Sequence, residues 1–150
     1  MRLRLFSIIF LSMIIFAGCS NKVATTSGGN SVDLDITEKM YLTYINEIYT
    51  NPSAYLGKRI KIEGMYTEEY VEPTKMIYRY VYRSGPGCCG NDGSMCGFEF
   101  YTDGEYPSEN DWIEVIGTLE QYDEDGMKYL TIKADSVAVK TERGAEVITQ

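Results

Sequence analysis

The spacing of apolar residues predicts an amphipathic helix ahead of the strand-like part of the chain. Residues 36–50, ITEKMYLTYINEIYT, carry large apolar side chains every three or four positions, which is the spacing of one helix face. That stripe consists of Met40 or Tyr41, followed by Tyr44, Ile45 and Ile48. We expect this stripe to face the core of the domain.

Local signals indicate where this helix begins and ends. Asp35 followed three residues later by Glu38 resembles a capping box, which would start the helix near residue 37. Asn51 precedes Pro52, and a residue before proline avoids the helical conformation. The expected helix therefore spans residues 37–50.

A different pattern, alternation of apolar and polar residues, begins after Gly57 and predicts strands. In KRIKIEGMYTEEYV, residues 58–71, Ile60, Ile62, Gly64 and Tyr66 fall on one side, as in a half-buried strand. Four further segments have strand character: KMIYRYVYRS at 75–84, CGFEFYT at 96–102, DWIEVIGTLEQY at 111–122 and MKYLTIKADSVAVK at 127–140.

Turn and glycine positions favour a small closed or partly open barrel built from these five strands. Asp123–Gly126 is a turn sequence between the last two strands, and Gly64 and Gly117 lie inside strand patterns, where glycine often marks a bulge or bend. The expected core residues are Ile60, Ile62, Val81, Phe98, Val115, Leu130 and Ile132.

The first twenty residues, MRLRLFSIIFLSMIIFAGCS, have the pattern of a targeting segment. Arg2 and Arg4 precede an apolar run of about a dozen residues, shorter than the roughly 20 that a membrane span needs. The end of this segment, Ala17-Gly18-Cys19, resembles the lipobox of bacterial lipoproteins, in which the cysteine is diacylated and becomes the mature N-terminus. The resemblance implies a signal peptide at 1–18 and a lipid anchor at Cys19 on the extracytoplasmic face of the cell membrane. An uncleaved membrane anchor is the alternative.

Composition divides the rest of the chain. The segment SNKVATTSGGNSVDLD is rich in small polar residues, so residues 19–36 are expected to be the lipidated cysteine and a flexible tether. Residues 37–140 then form one barrel domain, and residues 141–150 a C-terminal tail.

Charge narrows the class of partner. Cleavage before Cys19 removes two basic residues and no acidic one, which leaves 12 basic against 22 acidic residues, a formal charge of −10. Nucleic-acid binding depends on Lys and Arg contacts to phosphate, so we expect no nucleic-acid partner. Cationic partners, including metal ions, are compatible with this charge.

Two strand segments carry a resemblance to known families. YLGKRIKIEG at 55–64 and DWIEVIGTL at 111–119 look like the first and fourth strands of oligonucleotide/oligosaccharide-binding (OB) barrels found in bacterial envelope proteins. With CCGND at 88–92, residues 40–140 resemble the C-terminal domain of an uncharacterised family of bacterial membrane proteins encoded beside predicted permeases. The resemblance implies a mainly β fold, a five-stranded OB-like barrel, and a permease or another envelope protein as partner. Those relatives have transmembrane helices where this chain has a lipobox.

Catalytic chemistry is not indicated. The chain has no histidine to act as a general base, and the Glu68-Glu69 and Asp123–Asp125 carboxylates fall at a strand edge and in a turn. The 13 tyrosines suit packing in the core and at the barrel rim, with stacking on sugars or bases as the alternative. Arg79 and Arg83 either flank the sheet or offset loop carboxylates. We expect a protein that is not an enzyme.

The remaining candidate chemistry lies in GPGCCGNDGSMCG, residues 85–97. Thiolates and a carboxylate from Cys88, Cys89, Cys96 and Asp92 are accepted ligands of zinc, the expected metal, and the glycines allow a tight loop. A disulfide from Cys88 or Cys89 to Cys96 and a reactive thiol are the alternatives. The expected function is a membrane-anchored envelope lipoprotein that binds metal and serves a transporter; the alternative is a ligand- or protein-interaction module with a structural disulfide or a redox thiol.

Overall fold

The computed structural model describes residues 31–86 and 93–149. It contains one α-helix, α1 (Tyr41–Thr50), single 3-10 turns at Glu38–Met40 and Pro52–Ala54, and six strands. The strands are β1 (Leu34–Ile36), β2 (Arg59–Val71), β3 (Met76–Gly85), β4 (Ser94–Tyr101), β5 (Trp112–Glu124) and β6 (Met127–Val139). None of the described helices is long and apolar enough to cross a membrane.

Five strands close into a barrel with the OB order. Neighbours run β2-β3-β4-β6-β5, and β5 pairs again with β2. The N-terminal half of β2 pairs with β5, its C-terminal half pairs with β3, and Met65 takes part in both ladders. β4 and β6 are parallel, whereas the other barrel pairs are antiparallel. The mainly β, five-stranded OB-like barrel is confirmed, with β1 as an additional strand.

Both strand glycines mark places where the barrel wall bends. Gly64 lies where β2 passes from β5 to β3, and a Cβ there would overlap the backbone carbonyl of Tyr82. Gly117 sits at a register shift in the β5–β6 ladder, which is a β-bulge. Side chains at these positions would push apart backbones that the barrel brings together.

The helix covers one end of the barrel through the predicted stripe. α1 buries Tyr41, Ile45 and Ile48 in the same core as the strands. Asn51 ends the helix before Pro52, as predicted. All seven predicted core residues are buried in that cluster.

The predicted capping box is wrong. Asp35 belongs to β1, and its carboxylate lies 2.7 Å from the Lys61 ammonium. Glu38 lies in the 3-10 turn and accepts hydrogen bonds from Arg83 Nη1 and from the Ala145 backbone N–H. Both carboxylates are taken by partners distant in sequence, and α1 begins without a side-chain cap.

Two terminal segments extend the folded unit beyond its predicted limits of 37 and 140. β1 pairs in parallel with β2, and Ile36 is buried, although it belongs to the segment predicted as tether. In the predicted tail, Ile148 is buried and its backbone N–H bonds to the Ser84 carbonyl. Each segment covers strand backbone that its barrel neighbours leave unpaired.

Candidate functional site

Three of the four predicted metal ligands, Cys88, Cys89 and Asp92, lie outside the described residues. The predicted lipidation site, Cys19, also lies outside them. Cys96 is described: it is half-buried in β4 opposite Arg83, and burial raises the pKa of its thiol. Within residues 31–86 and 93–149, no three metal-ligating side chains are grouped closely enough to hold an ion. The zinc site therefore stays a prediction.

A wide groove lies between two hairpins of the barrel. One wall is the β2–β3 hairpin with its connection at residues 72–75, and the other is the β5–β6 hairpin. The cavity has a volume of about 670 Å³. Five tyrosines line it, and we call it the tyrosine groove: Tyr49, Tyr78, Tyr80, Tyr122 and Tyr129.

Strand register and a tight turn position these rings. Tyr122 on β5 lies directly opposite Tyr129 on β6, and their rings stack with centroids 5.6 Å apart. The hairpin closes through Asp125 and Gly126, both with positive φ (50° and 81°), a two-residue turn that matches strand twist. Tyr49 extends from α1 to the groove, and its ring stacks on that of Phe98 with centroids 5.3 Å apart.

Two carboxylates stand among the rings, each held by a tyrosine. The Tyr122 hydroxyl donates a hydrogen bond to Glu99 across 2.6 Å, and the Tyr78 hydroxyl donates one to Glu124, also across 2.6 Å. Burial raises the pKa of Glu99, and the nearby Glu124 carboxylate raises it further. Burial, followed by repulsion from Glu99, raises the pKa of Tyr80 to about 12, so this hydroxyl stays protonated at neutral pH.

A second cavity of about 460 Å³ continues the groove along β5. It shares Tyr78, Glu99, Tyr122 and Glu124 with the first, so the two cavities adjoin at these side chains. Here Tyr101 donates a hydrogen bond to Glu120 across 2.8 Å, a third tyrosine–carboxylate pair.

The two arginines of β3 have different roles. Arg83 is only 3% exposed, and its guanidinium lies 4.8 Å from the centroids of the Tyr41 and Trp112 rings. Arg79 lines the second cavity, 3.9 Å above the Tyr106 ring and 3.4 Å from Glu68. Arg83 is thus a buried structural cation, whereas Arg79 is at the groove wall.

The sequence interpretation assigned the tyrosines to core and rim and did not identify Glu99 as a groove residue. Glu99 looked like an ordinary polar position of β4, because its neighbours in the groove come from β3, β5 and β6. The alternation of Tyr78 and Tyr80 with Arg79 and Val81 was the available signal. The register that places Tyr122 across from Tyr129 also depends on the two-residue turn.

The geometry suits binding by stacking and by charge. Aromatic faces offer contact to flat or apolar groups, and a carboxylate that accepts one hydroxyl proton keeps further acceptor sites for a donor. Of the residues that the structure describes, Arg79 and Lys128 alone bring positive charge to the lining, and they have carboxylate partners, Glu68 and Asp123 respectively. Anionic ligands would therefore meet a surface of their own sign.

Comparison with known proteins gives one family. The model of the DUF1980 C-terminal domain matches residues 19–144. No curated protein matches the chain. Among solved structures, a small single-stranded DNA-binding protein from Streptomyces coelicolor is 14% identical, with 59% of this chain and 98% of that chain covered and a TM-score of 0.35.

Proposed function

The chain belongs to the DUF1980 C-terminal domain family, and on that premise we propose that it is a non-enzymatic binding module whose ligand site is the tyrosine groove. The observation that carries the proposal is the position of the groove in the barrel. OB barrels bind ligands on the face of their second and third strands, between the loop that joins the first two strands and the loop that joins the last two. In this barrel the corresponding elements are β3, β4, the connection at 72–75 and the turn at 125–126, and each of them contributes residues to the lining of the groove.

The shape and lining of the groove support binding of a ligand rather than burial of a purely structural cluster. Its volume falls within the roughly 300–1,000 Å³ of small-molecule sites, which are mostly apolar with a few placed polar groups. Hydroxyl groups of Tyr78 and Tyr122 are fixed on Glu124 and Glu99, so both rings are held in place before a ligand arrives. A preformed site loses less conformational entropy on binding.

Location is a further part of the proposal. The lipobox-like Ala17-Gly18-Cys19 supports a lipid anchor at Cys19, which would hold the barrel at the extracytoplasmic face of the membrane. At that surface the groove is available to a permease or another envelope protein, or to a small ligand that such a protein handles.

Titration calorimetry of the mature lipoprotein in a polyoxyethylene detergent tests the groove. Three probes cover the ligand classes of such a surface: spermidine, the neutral sugar maltohexaose and a 15-nucleotide oligothymidine. We expect at least one to bind, with affinity reduced about tenfold or more in Tyr129→Ala, because a stacking partner is worth about 1–3 kcal/mol. Tyr70→Ala is the matched control, since Tyr70 is exposed and does not line the groove.

The outcomes are decisive for the proposal. Binding that Tyr129→Ala weakens and Tyr70→Ala leaves unchanged supports the groove as the site. Absence of binding for all three probes, or equal affinity in Tyr129→Ala and the unaltered protein, would overturn it.

A further inference from the structure

Resting on the proposed function, we propose that the tyrosine groove and its continuation bind a linear organic cation, a polyamine-type chain of ammonium groups joined by methylene segments. The charge, the aromatic faces and the distribution of carboxylates over two adjoining cavities indicate the ligand class. Each of these features selects against a different competing ligand.

Charge selects a cation. Among the described residues, the two adjoining cavities are lined by five carboxylates and two basic side chains: Glu99, Glu120, Asp123, Glu124 and Asp125, with Arg79 and Lys128. Within the described part of the chain, Glu99, Glu120 and Glu124 have no salt-bridge partner. Three carboxylates thus keep their charge available to a ligand, and nucleic-acid phosphates would be repelled.

Hydrogen bonding leaves room for that ligand. Glu99, Glu120 and Glu124 each accept one tyrosine hydroxyl bond, at 2.6, 2.8 and 2.6 Å. An ionised carboxylate has about four lone-pair sites, so each retains capacity for an ammonium donor. The tyrosine bonds also fix the direction in which each carboxylate faces, which favours a charge-assisted contact.

Aromatic and apolar surface selects an organic cation over a bare metal ion. The stacked Tyr122 and Tyr129 rings offer the faces that attract an ammonium group, and such contacts gain strength when water is excluded. Met76 and Ile77, both more than 40% exposed, line the second cavity and can contact methylene segments. A hydrated divalent ion would use neither feature, because it prefers oxygen ligands alone.

The distribution of carboxylates selects a chain with more than one charge. Glu99 and Glu124 line both cavities, whereas Glu120 lines only the second and Asp125 only the first. Negative charge is therefore distributed over two adjoining cavities instead of being gathered around one point. A ligand with several ammonium groups matches this spread, since successive charges meet successive carboxylates.

Calorimetric titration with spermidine, compared with uncharged octane-1,8-diol of similar length, tests the ligand class on the mature lipoprotein. We expect saturable spermidine binding and no detectable diol binding. Glu99→Gln and Glu124→Gln should each weaken spermidine binding about fivefold or more, because a neutral amide forms no charge-assisted bond. Glutamine still accepts the tyrosine hydrogen bond, so both variants should keep their far-ultraviolet circular dichroism and should melt at no lower temperature than the unaltered protein.

Controls separate this inference from the proposed function. Glu142→Gln removes an exposed carboxylate outside the groove and should change spermidine affinity less than about twofold, as expected for a distant, screened charge. Two results would overturn the cation proposal: spermidine affinity in the Glu99→Gln and Glu124→Gln variants equal to that of the unaltered protein, or magnesium binding as tightly as spermidine at matched ionic strength. If maltohexaose binds the groove and spermidine does not, the ligand class is wrong while the groove remains the site; if no probe binds, both proposals fail.

Discussion

Arg83 is the residue on which three separate parts of the chain converge. Its Nε donates to the Glu63 carbonyl of β2, and its Nη1 donates to the Ala145 carbonyl and to Glu38. The buried guanidinium therefore joins the start of the domain, the barrel wall and the C-terminal segment. Charged groups of this kind persist in a core only where their donors are matched.

Replacing Arg83 with methionine should lower the free energy of unfolding by about 2–4 kcal/mol, because the Glu63 and Ala145 carbonyls lose their donor while the apolar stem remains. Urea denaturation followed by circular dichroism measures the loss. Arg59→Met is the matched control: Arg59 pairs with a half-exposed Asp135, so its loss should cost less than about 1 kcal/mol. Equal losses in the two variants would contradict the structural role of Arg83.

Glu38 and Glu99 should make the stability of the protein depend on pH in opposite directions. The hydrogen bond from the Ala145 N–H, and after it the hydrogen bond from Arg83, hold the pKa of Glu38 below its usual 4.5. Ionised Glu38 therefore stabilises the folded protein above pH 4.5, and this stabilisation is lost as pH falls through the folded-state pKa. Burial raises the pKa of Glu99, so ionised Glu99 costs stability above its folded-state pKa, and this cost disappears as pH falls.

Glu38→Gln should accordingly destabilise the protein at pH 7, whereas Glu99→Gln should leave it equally stable or make it more stable. Both differences should shrink as denaturation is repeated down to about pH 3, where the carboxyl groups are largely protonated. A destabilising Glu99→Gln at pH 7 would contradict this assignment. An ionised Glu99 that lowers the free energy of unfolding is what we expect of a residue that serves binding instead of stability.

The cysteine-rich loop is the residue-level prediction that the described structure leaves open. Of its four predicted ligands, Cys96 lies in β4 opposite Arg83, whereas Cys88, Cys89 and Asp92 lie outside the described residues. Elemental analysis of protein purified under reducing conditions should find about one zinc ion, lost when all three cysteines are changed to serine. Equal metal content in both proteins would reject the site.

At the level of strands, the alternation of residues was enough to predict five of the six, because each buries one face over many positions. β1 was missed since only Leu34 and Ile36 carry its apolar signal, and three residues are too few to show a period. Its pairing with β2 depends on contact between distant segments. The same is true of Ile148, which enters the core from a polar C-terminal stretch.

Glycine positions within strands give a prediction for barrel closure. Gly64→Ala should destabilise the protein by about 1–3 kcal/mol or more, since the new methyl group would overlap the Tyr82 carbonyl where β2 changes partners. Gly104→Ala is the control: its methyl group would meet only the Thr102 hydroxyl oxygen, at an ordinary 3.5 Å, and should be tolerated. Thermal unfolding of the two variants provides the measurement, and similar melting temperatures would argue against a tight crossing at Gly64.

At the scale of the whole molecule, fold and site differ in how far the sequence predicts them. The barrel follows from local alternation and from glycine and turn positions, and all seven predicted core residues are buried. The groove does not follow, because it forms only when β3, β4, β5 and β6 are brought into register around Glu99. Residues such as Tyr78 and Tyr122 are equally compatible with a barrel rim until their partners are known.

The last prediction concerns the proposed placement of the molecule at the membrane through Cys19. In the proposed lipoprotein, two acyl chains on Cys19 would supply the membrane affinity that the acidic surface cannot, since anionic head groups repel a net charge of this sign. Cys19→Ser should therefore release the protein from the membrane fraction or leave its signal peptide uncleaved. Fractionation with immunoblotting distinguishes these forms by position and by size, and Cys96→Ser is the control, because Cys96 lies within β4, far along the chain from the lipobox. A Cys19→Ser protein that is correctly processed and still membrane-bound would rule out the lipid anchor. The barrel would then have to be held at the membrane by another part of the protein or by a partner.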